Sequence, residues 1–174
     1  LAAARLGIQV GLYESRYGQY QQDIIDPKSG LYAFAPDIIV LAVHDGELHL
    51  PEFSQTPEED VRKEVSRWTG LWQMVAARSR ARIVQHNFAL PCEIPIGHLA
   101  TRLPGSRYMM AQAVNTRLGE AAANAVSLVD CERLSALIGK QRWCDPRYWH
   151  LSKQAVALEA LPLLARHTAT VIAA

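Results

Sequence analysis

The stretch Pro36-Asp37-Ile38-Ile39-Val40-Leu41-Ala42-Val43 decides the fold. Six apolar residues in a row, mostly β-branched and introduced by Pro-Asp, favour a strand over a helix. A run without polar alternation suits a strand covered on both faces, the situation of a parallel sheet. Working outward, residues 8–13, short and β-prone, and residues 82–86 and 125–130 are the other candidate strands.

Helices are expected between these strands. Residues 1–6 read as the last turns of a helix, with Gly7 where a helix end favours positive φ. Thr56-Pro57-Glu58-Glu59 has the form of a capping box, and Val61, Val65, Trp68, Trp72 and Val75 then fall on one helical face. A second helix follows Pro104-Gly105-Ser106, with Met110, Val114, Leu118 and Ala121 as its inner stripe. A third runs from about Leu158 through Leu161, Leu164, Thr168 and Val171, with Pro162 in its opening turns. Strands alternating with helices predict a three-layer α/β/α sandwich on a mostly parallel sheet, of the flavodoxin-like kind. In such folds the first strand lies at the sheet centre. The sequence opens after that point, so this strand is expected to be missing from the chain.

Composition narrows the function classes. The 174 residues predict a single domain spanning 1–174, and 49% apolar residues suffice for a core. Eighteen Lys+Arg against 17 Asp+Glu leave a net charge of +1, so no overall field favours nucleic acid or an anionic membrane. No apolar run reaches the length of a membrane span. Cys92, Cys131 and Cys144 are widely spaced with no CxxC pair, which speaks against a disulfide framework and fits a reducing cytoplasm. The six histidines show neither HxH nor HExxH spacing, so no metal is expected. Phosphate-cradling glycine motifs and GxSxG are absent as well.

Ligands gather at the carboxyl ends of strands in an open parallel sheet. That rule selects His44 and Asp45 after one strand and Asn87 after the next, as substrate-binding candidates. Adjacent residues on an extended chain point apart, so His44 and Asp45 rarely act on one atom. An asparagine after a buried strand can aim a neutral amide at an oxyanion, or it can simply form a turn. Asp145 and His150, in the polar cluster 142–150, are the catalytic candidates for an aspartate-oriented histidine. Asp145 as a turn cap and His150 packed among Trp143, Tyr148 and Trp149 is the structural alternative.

Longer motifs carry a resemblance. Tyr17-Gly18-Gln19-Tyr20, Ile25-Asp26-Pro27, Ser29-Gly30-Leu31-Tyr32 and Phe34 with Pro36-Asp37 resemble the N-terminal domain of FkbH-like proteins. So do His86-Asn87-Phe88-Ala89-Leu90-Pro91, Arg102-Leu103-Pro104-Gly105-Ser106, and Arg142-Trp143 through Asp145-Pro146-Arg147-Tyr148-Trp149 to Lys153-Gln154-Ala155. The resemblance covers nearly the whole chain. It implies a partner module of the haloacid-dehalogenase superfamily, subfamily IIIC, with a DxDxT aspartate motif and Mg²⁺. It also implies a role in polyketide or related biosynthesis: a phosphorylated three-carbon donor is dephosphorylated and its glyceryl group loaded onto an acyl carrier protein. This sequence has no DxDxT motif, so no cofactor is expected in this chain. The layout is similar to SGNH hydrolases, whose serine would fall before Leu1 and whose late Asp-x-x-His would begin at Asp145. Three residues beyond Asp145 stands Tyr148, and His150 comes two later. The resemblance therefore implies a non-catalytic domain that recognises a carrier protein or positions a substrate. Its alternative is an esterase or acyl-transfer enzyme with an upstream nucleophile.

Overall fold

The computed structural model describes residues 2–91, 93–123 and 125–174; Leu1, at the head of the expected leading helix, and Cys92 lie outside them. Helices α1 (Tyr20–Ile25) and α2 (Gly30–Phe34) precede strand β1 (Ile38–Leu41). Then come α3 (Pro57–Arg78), β2 (Arg82–His86), α4 (Arg107–Ala122) and β3 (Val126–Val129). Four helices finish the chain: α5 (Cys131–Ile138), α6 (Lys140–Trp143), α7 (Pro146–Ser152) and α8 (Leu161–Ala173).

Among the described residues the sheet has three parallel strands in the order β1-β2-β3, with Ile39 opposite Ile83 and Ile83 opposite Val126. Alternation along β2 assigns its side chains to two layers. Ile83 joins the core formed with α3 and α4, and Gln85 accepts a hydrogen bond from the indole of Trp72 on α3 at 2.6 Å. Val84 joins the opposite core with Leu134, Trp143 and Leu164, while His86 meets Thr168 on α8 at 3.2 Å. The result is the expected three-layer α/β/α sandwich. Trp68 is fully buried against Phe88, ring centroids 5.3 Å apart, and burial of rings this large contributes roughly 1.5–3 kcal/mol each.

Several local expectations change. Ala4–Leu6 make a 3-10 turn that Gly7 closes at φ 73°. The strand expected over residues 8–13 does not form, and Val10 and Leu12 stand 59% and 78% exposed. Tyr13 packs instead on Phe34 and donates to Asp23 at 3.1 Å, so the segment follows α1 and α2 where no ladder is available. β1 is covered less than its composition implies: Ile39 and Leu41 are buried, but Val40 is 39% exposed because α8 packs against β3 and leaves this edge.

Helix α3 starts where expected, but Thr56 makes no side-chain cap. Ser54 fills the place, accepting from the Thr56 amide at 2.9 Å and donating to Asp60. Val61, Trp68, Leu71, Trp72 and Val75 are buried on its inner face, and Val65 is half-buried. In α4 the Ser106 hydroxyl accepts from the Met109 amide at 3.2 Å, a regular N-cap. Its inner stripe continues from Leu118 to Ala122 rather than Ala121. Helix α8 begins at Leu161, with Pro162 in its first turn.

Candidate functional site

The carboxyl ends of the strands carry three groups of polar side chains. At the end of β1, Asp45–Glu47 form a 3-10 turn that His44 caps, its Nδ1 accepting from the Gly46 amide at 3.1 Å. A neutral His44 ring therefore carries its proton on Nε2, which lies 3.7 Å from Glu47. Glu47 in turn accepts from the Tyr20 hydroxyl at 3.1 Å. The imidazole meets Trp149 of α7 edge-on, ring centroids 5.2 Å apart. Thus His44 pairs with Glu47, three residues on, and α7 closes over the end of β1.

Asp45 is half-buried, and burial raises its pKa above the ordinary carboxylate value while the charges of His44 and Arg107 oppose the shift. Its carbonyl accepts from Arg107 at 3.1 Å. The same guanidinium reaches the carbonyls of Leu48, at 3.2 Å, and Leu50. Arg107, from the first turn of α4, thereby fixes the loop after β1. Nearby, Arg67 bonds the buried Glu64 and the Glu47 carbonyl, the latter at 2.7 Å, and its guanidinium carbon lies 4.2 Å from the Trp68 ring centroid.

At the ends of β2 and β3, Asn87 is held at both ends of its amide. Nδ2 donates to Asp130 at 2.8 Å and Oδ1 accepts from the Glu132 amide at 3.0 Å. Asp130 caps α5 by accepting from the Arg133 amide at 3.1 Å. Glu132 accepts from the Leu90 amide at 2.7 Å and pairs with Lys140, which also donates to the Leu90 carbonyl and to Ser135. Asn115 of α4 completes the clamp with bonds to the Phe88 amide at 2.9 Å and carbonyl at 2.8 Å. These groups hold the loop 87–91 against α4, α5 and α6.

The third group lies on α7. Asp145 accepts from the Arg147 amide at 2.9 Å and from its guanidinium at 2.8 and 3.1 Å, which holds its carboxyl below the ordinary carboxylate range. His150 is exposed near the other end of α7, and among the described residues no hydrogen bond or ion pair joins it to Asp145. Asp145, Arg142, Arg147, Tyr148 and Leu158 line a groove of about 520 Å³, which His150 does not line.

Of the five residues the sequence marked, Asp145 caps α7 and His150 lies within it, and of the other three the structure brings His44 against α7, through Trp149. Asn87, Asp45 and Asp145 each sit in a separate hydrogen-bond group. Sequence reasoning passed over Arg107, Arg67, Glu64 and Asn115. Only Glu64 and Arg67 gave a signal, their i,i+3 spacing on a helix; backbone carbonyls as partners leave none. Cys131 is buried, which pushes its thiol up to about 12, beyond use as a thiolate at neutral pH. Among the described residues no cluster of three His, Cys, Asp or Glu side chains is arranged to hold a metal ion, and no helix is long and apolar enough to cross a membrane.

Fold and site together define a parallel α/β/α domain whose strand-end polar groups are engaged with its own backbone and helix ends. The family model for FkbH, N-terminal domain matches residues 2–173, and the chain belongs to that family. No curated protein matches it. Among solved structures it is similar to the N-terminal part of the protein BF1531 from Bacteroides fragilis, a crystal structure containing a phosphatase domain and complexed with Mg. The two share 19% identity at a TM-score of 0.83, over 99% of this chain and 46% of that one. The chain thus spans less than half of that relative's length, and the likeness supports the fold alone.

Proposed function

We propose that this domain binds an acyl carrier protein and positions its phosphopantetheine arm, while a haloacid-dehalogenase-type module of the same FkbH-like protein performs the chemistry. In this reading the module would hold Mg²⁺ and transfer the glyceryl group of a phosphorylated three-carbon donor to the carrier thiol, the bond to sulfur forming as the bond to a departing phosphate breaks and the thiol proton passes to solvent. The domain described here contributes no cofactor of its own.

The observation that carries the reading is the engagement of the strand-end side chains. Acyl transfer needs a histidine within reach of a nucleophile and an oriented acidic partner for that histidine. Asp145 is committed to Arg147 and the α7 amide, His150 stands apart from it, and both polar ends of the Asn87 amide are occupied. A domain arranged this way is suited to hold a partner. Calorimetric titration with a phosphopantetheinylated carrier protein tests it: saturable binding is expected. Absence of binding, both for this chain and for the protein containing its phosphatase-type module, refutes the proposal.

A further inference from the structure

Charge is unevenly spread along the chain. Residues 133–174 hold six cationic side chains (Arg133, Lys140, Arg142, Arg147, Lys153, Arg166) against Asp145 and Glu159, a net +4 in a chain whose net charge is +1. The first 132 residues are accordingly acidic, at net −3. Such asymmetry points to an anionic partner for the basic part. The basic part includes the outer helical layer, whose inward side packs on Val84 and Val129.

The groove of about 520 Å³ lies in this layer, between α6, α7 and the loop 157–159. Its size falls within the range of ordinary ligand sites. Two guanidiniums line it, and each is engaged on one side only. Arg142 bonds Glu159 at 3.3 and 3.2 Å and Arg147 bonds Asp145, both through Nε and Nη2. Both leave Nη1 without a partner among the described residues. The Arg142 and Arg147 side chains are 63% and 84% exposed, and ion pairs at such sites exchange partners readily. Pro146, Ala157 and Leu158 give the groove an apolar wall.

We propose that this groove and its cationic surround are the docking surface for the acidic face of a carrier protein, with the phosphodiester of its pantetheine arm between Arg142 and Arg147. The inference rests on the carrier-binding reading above and adds its location. A guanidinium presents paired donors that match a phosphate, and the gem-dimethyl carbon that follows the phosphate ester in the arm suits a groove with one apolar wall. Asp145 stays in place because it also caps α7. Glu159, 52% exposed and tied among the described residues to Arg142 alone, is the carboxylate that the incoming anion displaces.

The test is fluorescence anisotropy of a labelled phosphopantetheinylated carrier titrated with the whole chain. Arg142→Glu is expected to weaken binding at least tenfold, and Glu159→Lys to tighten it several-fold. Lys63→Glu, an equal charge change at the exposed Lys63–Glu59 pair of α3, is expected to leave it unchanged. Wild-type affinity should fall with added salt, and the carrier lacking its arm should bind more weakly. Opposite effects of Arg142→Glu and Glu159→Lys exclude simple loss of the Arg142–Glu159 pair, since either change breaks it; circular dichroism checks that both variants fold. Wild-type binding that neither substitution alters overturns the location and leaves the carrier-binding reading intact. Equal losses for Arg142→Glu and Lys63→Glu also overturn it, and equal affinity with and without the arm removes the phosphodiester contact. A wild-type chain that binds no carrier, either alone or in the protein containing its phosphatase-type module, overturns both readings.

Discussion

Replacing Asn87 by alanine removes two hydrogen bonds at once, the 2.8 Å donation to Asp130 and the 3.0 Å acceptance from the Glu132 amide. The first ends on a carboxylate, and bonds to charged groups contribute about 1.5–3 kcal/mol; the second is of the ordinary kind, about 1 kcal/mol. Asn87 is half-buried, so water replaces part of what is lost, and a net destabilisation of about 2–3 kcal/mol is expected. With a urea m-value of about 2 kcal/mol/M, the unfolding midpoint then falls by roughly 1–1.5 M. The four tryptophans provide the fluorescence signal. Asn87→Asp should cost more, since it sets a second carboxylate against Asp130. A change below about 0.5 kcal/mol in Asn87→Ala would refute the structural role and return Asn87 to the pool of ligand-binding groups.

The buried His86 ring, held down to about pKa 4 by desolvation, makes stability depend on pH. The unfolded chain takes up this proton near pH 6.5 and the folded chain resists it, so the contribution is full above pH 6.5 and is lost as pH falls toward 4. It is worth about 3 kcal/mol at most, and His86→Gln should flatten the profile between pH 6.5 and 5; an NMR titration showing imidazolium at pH 6 contradicts this. Arg107→Lys keeps the charge but cannot span the carbonyls of Asp45, Leu48 and Leu50. A loss of about 1–3 kcal/mol is expected, with faster amide exchange in residues 45–50; unchanged exchange there counts against the clamp.

How much the sequence disclosed depends on the type of signal. Hydrophobic periodicity located β1, β2, β3, α3 and α4 because each buries its apolar side chains in a pattern set by backbone geometry. It failed at residues 8–13, whose β-prone composition meets no ladder in this structure. The start of α4 after Pro104-Gly105-Ser106 was legible, whereas the Thr56 cap yielded to Ser54, two residues before it and outside the motif. Helices α5, α6 and α7 lie where the sequence reading set no helix, although Asp130 and Asp145 before Cys131-Glu132 and Pro146-Arg147 were available as N-cap signals. His44 and Asn87 follow β1 and β2 as read from the sequence, and Asp145 but not His150 lines the groove; the partners of these residues were not legible. Arg107, Lys140 and Asn115 act through backbone carbonyls and amides far away in sequence, and no spacing records such contacts.

Under the proposed function, the polar groups at the sheet's carboxyl end serve the fold and acyl chemistry belongs to another module. Hydrolysis of p-nitrophenyl acetate by this chain tests it most directly. The expected rate equals the buffer background and is unchanged by Asp145→Ala or His150→Ala. Saturable turnover that drops in either variant would contradict it.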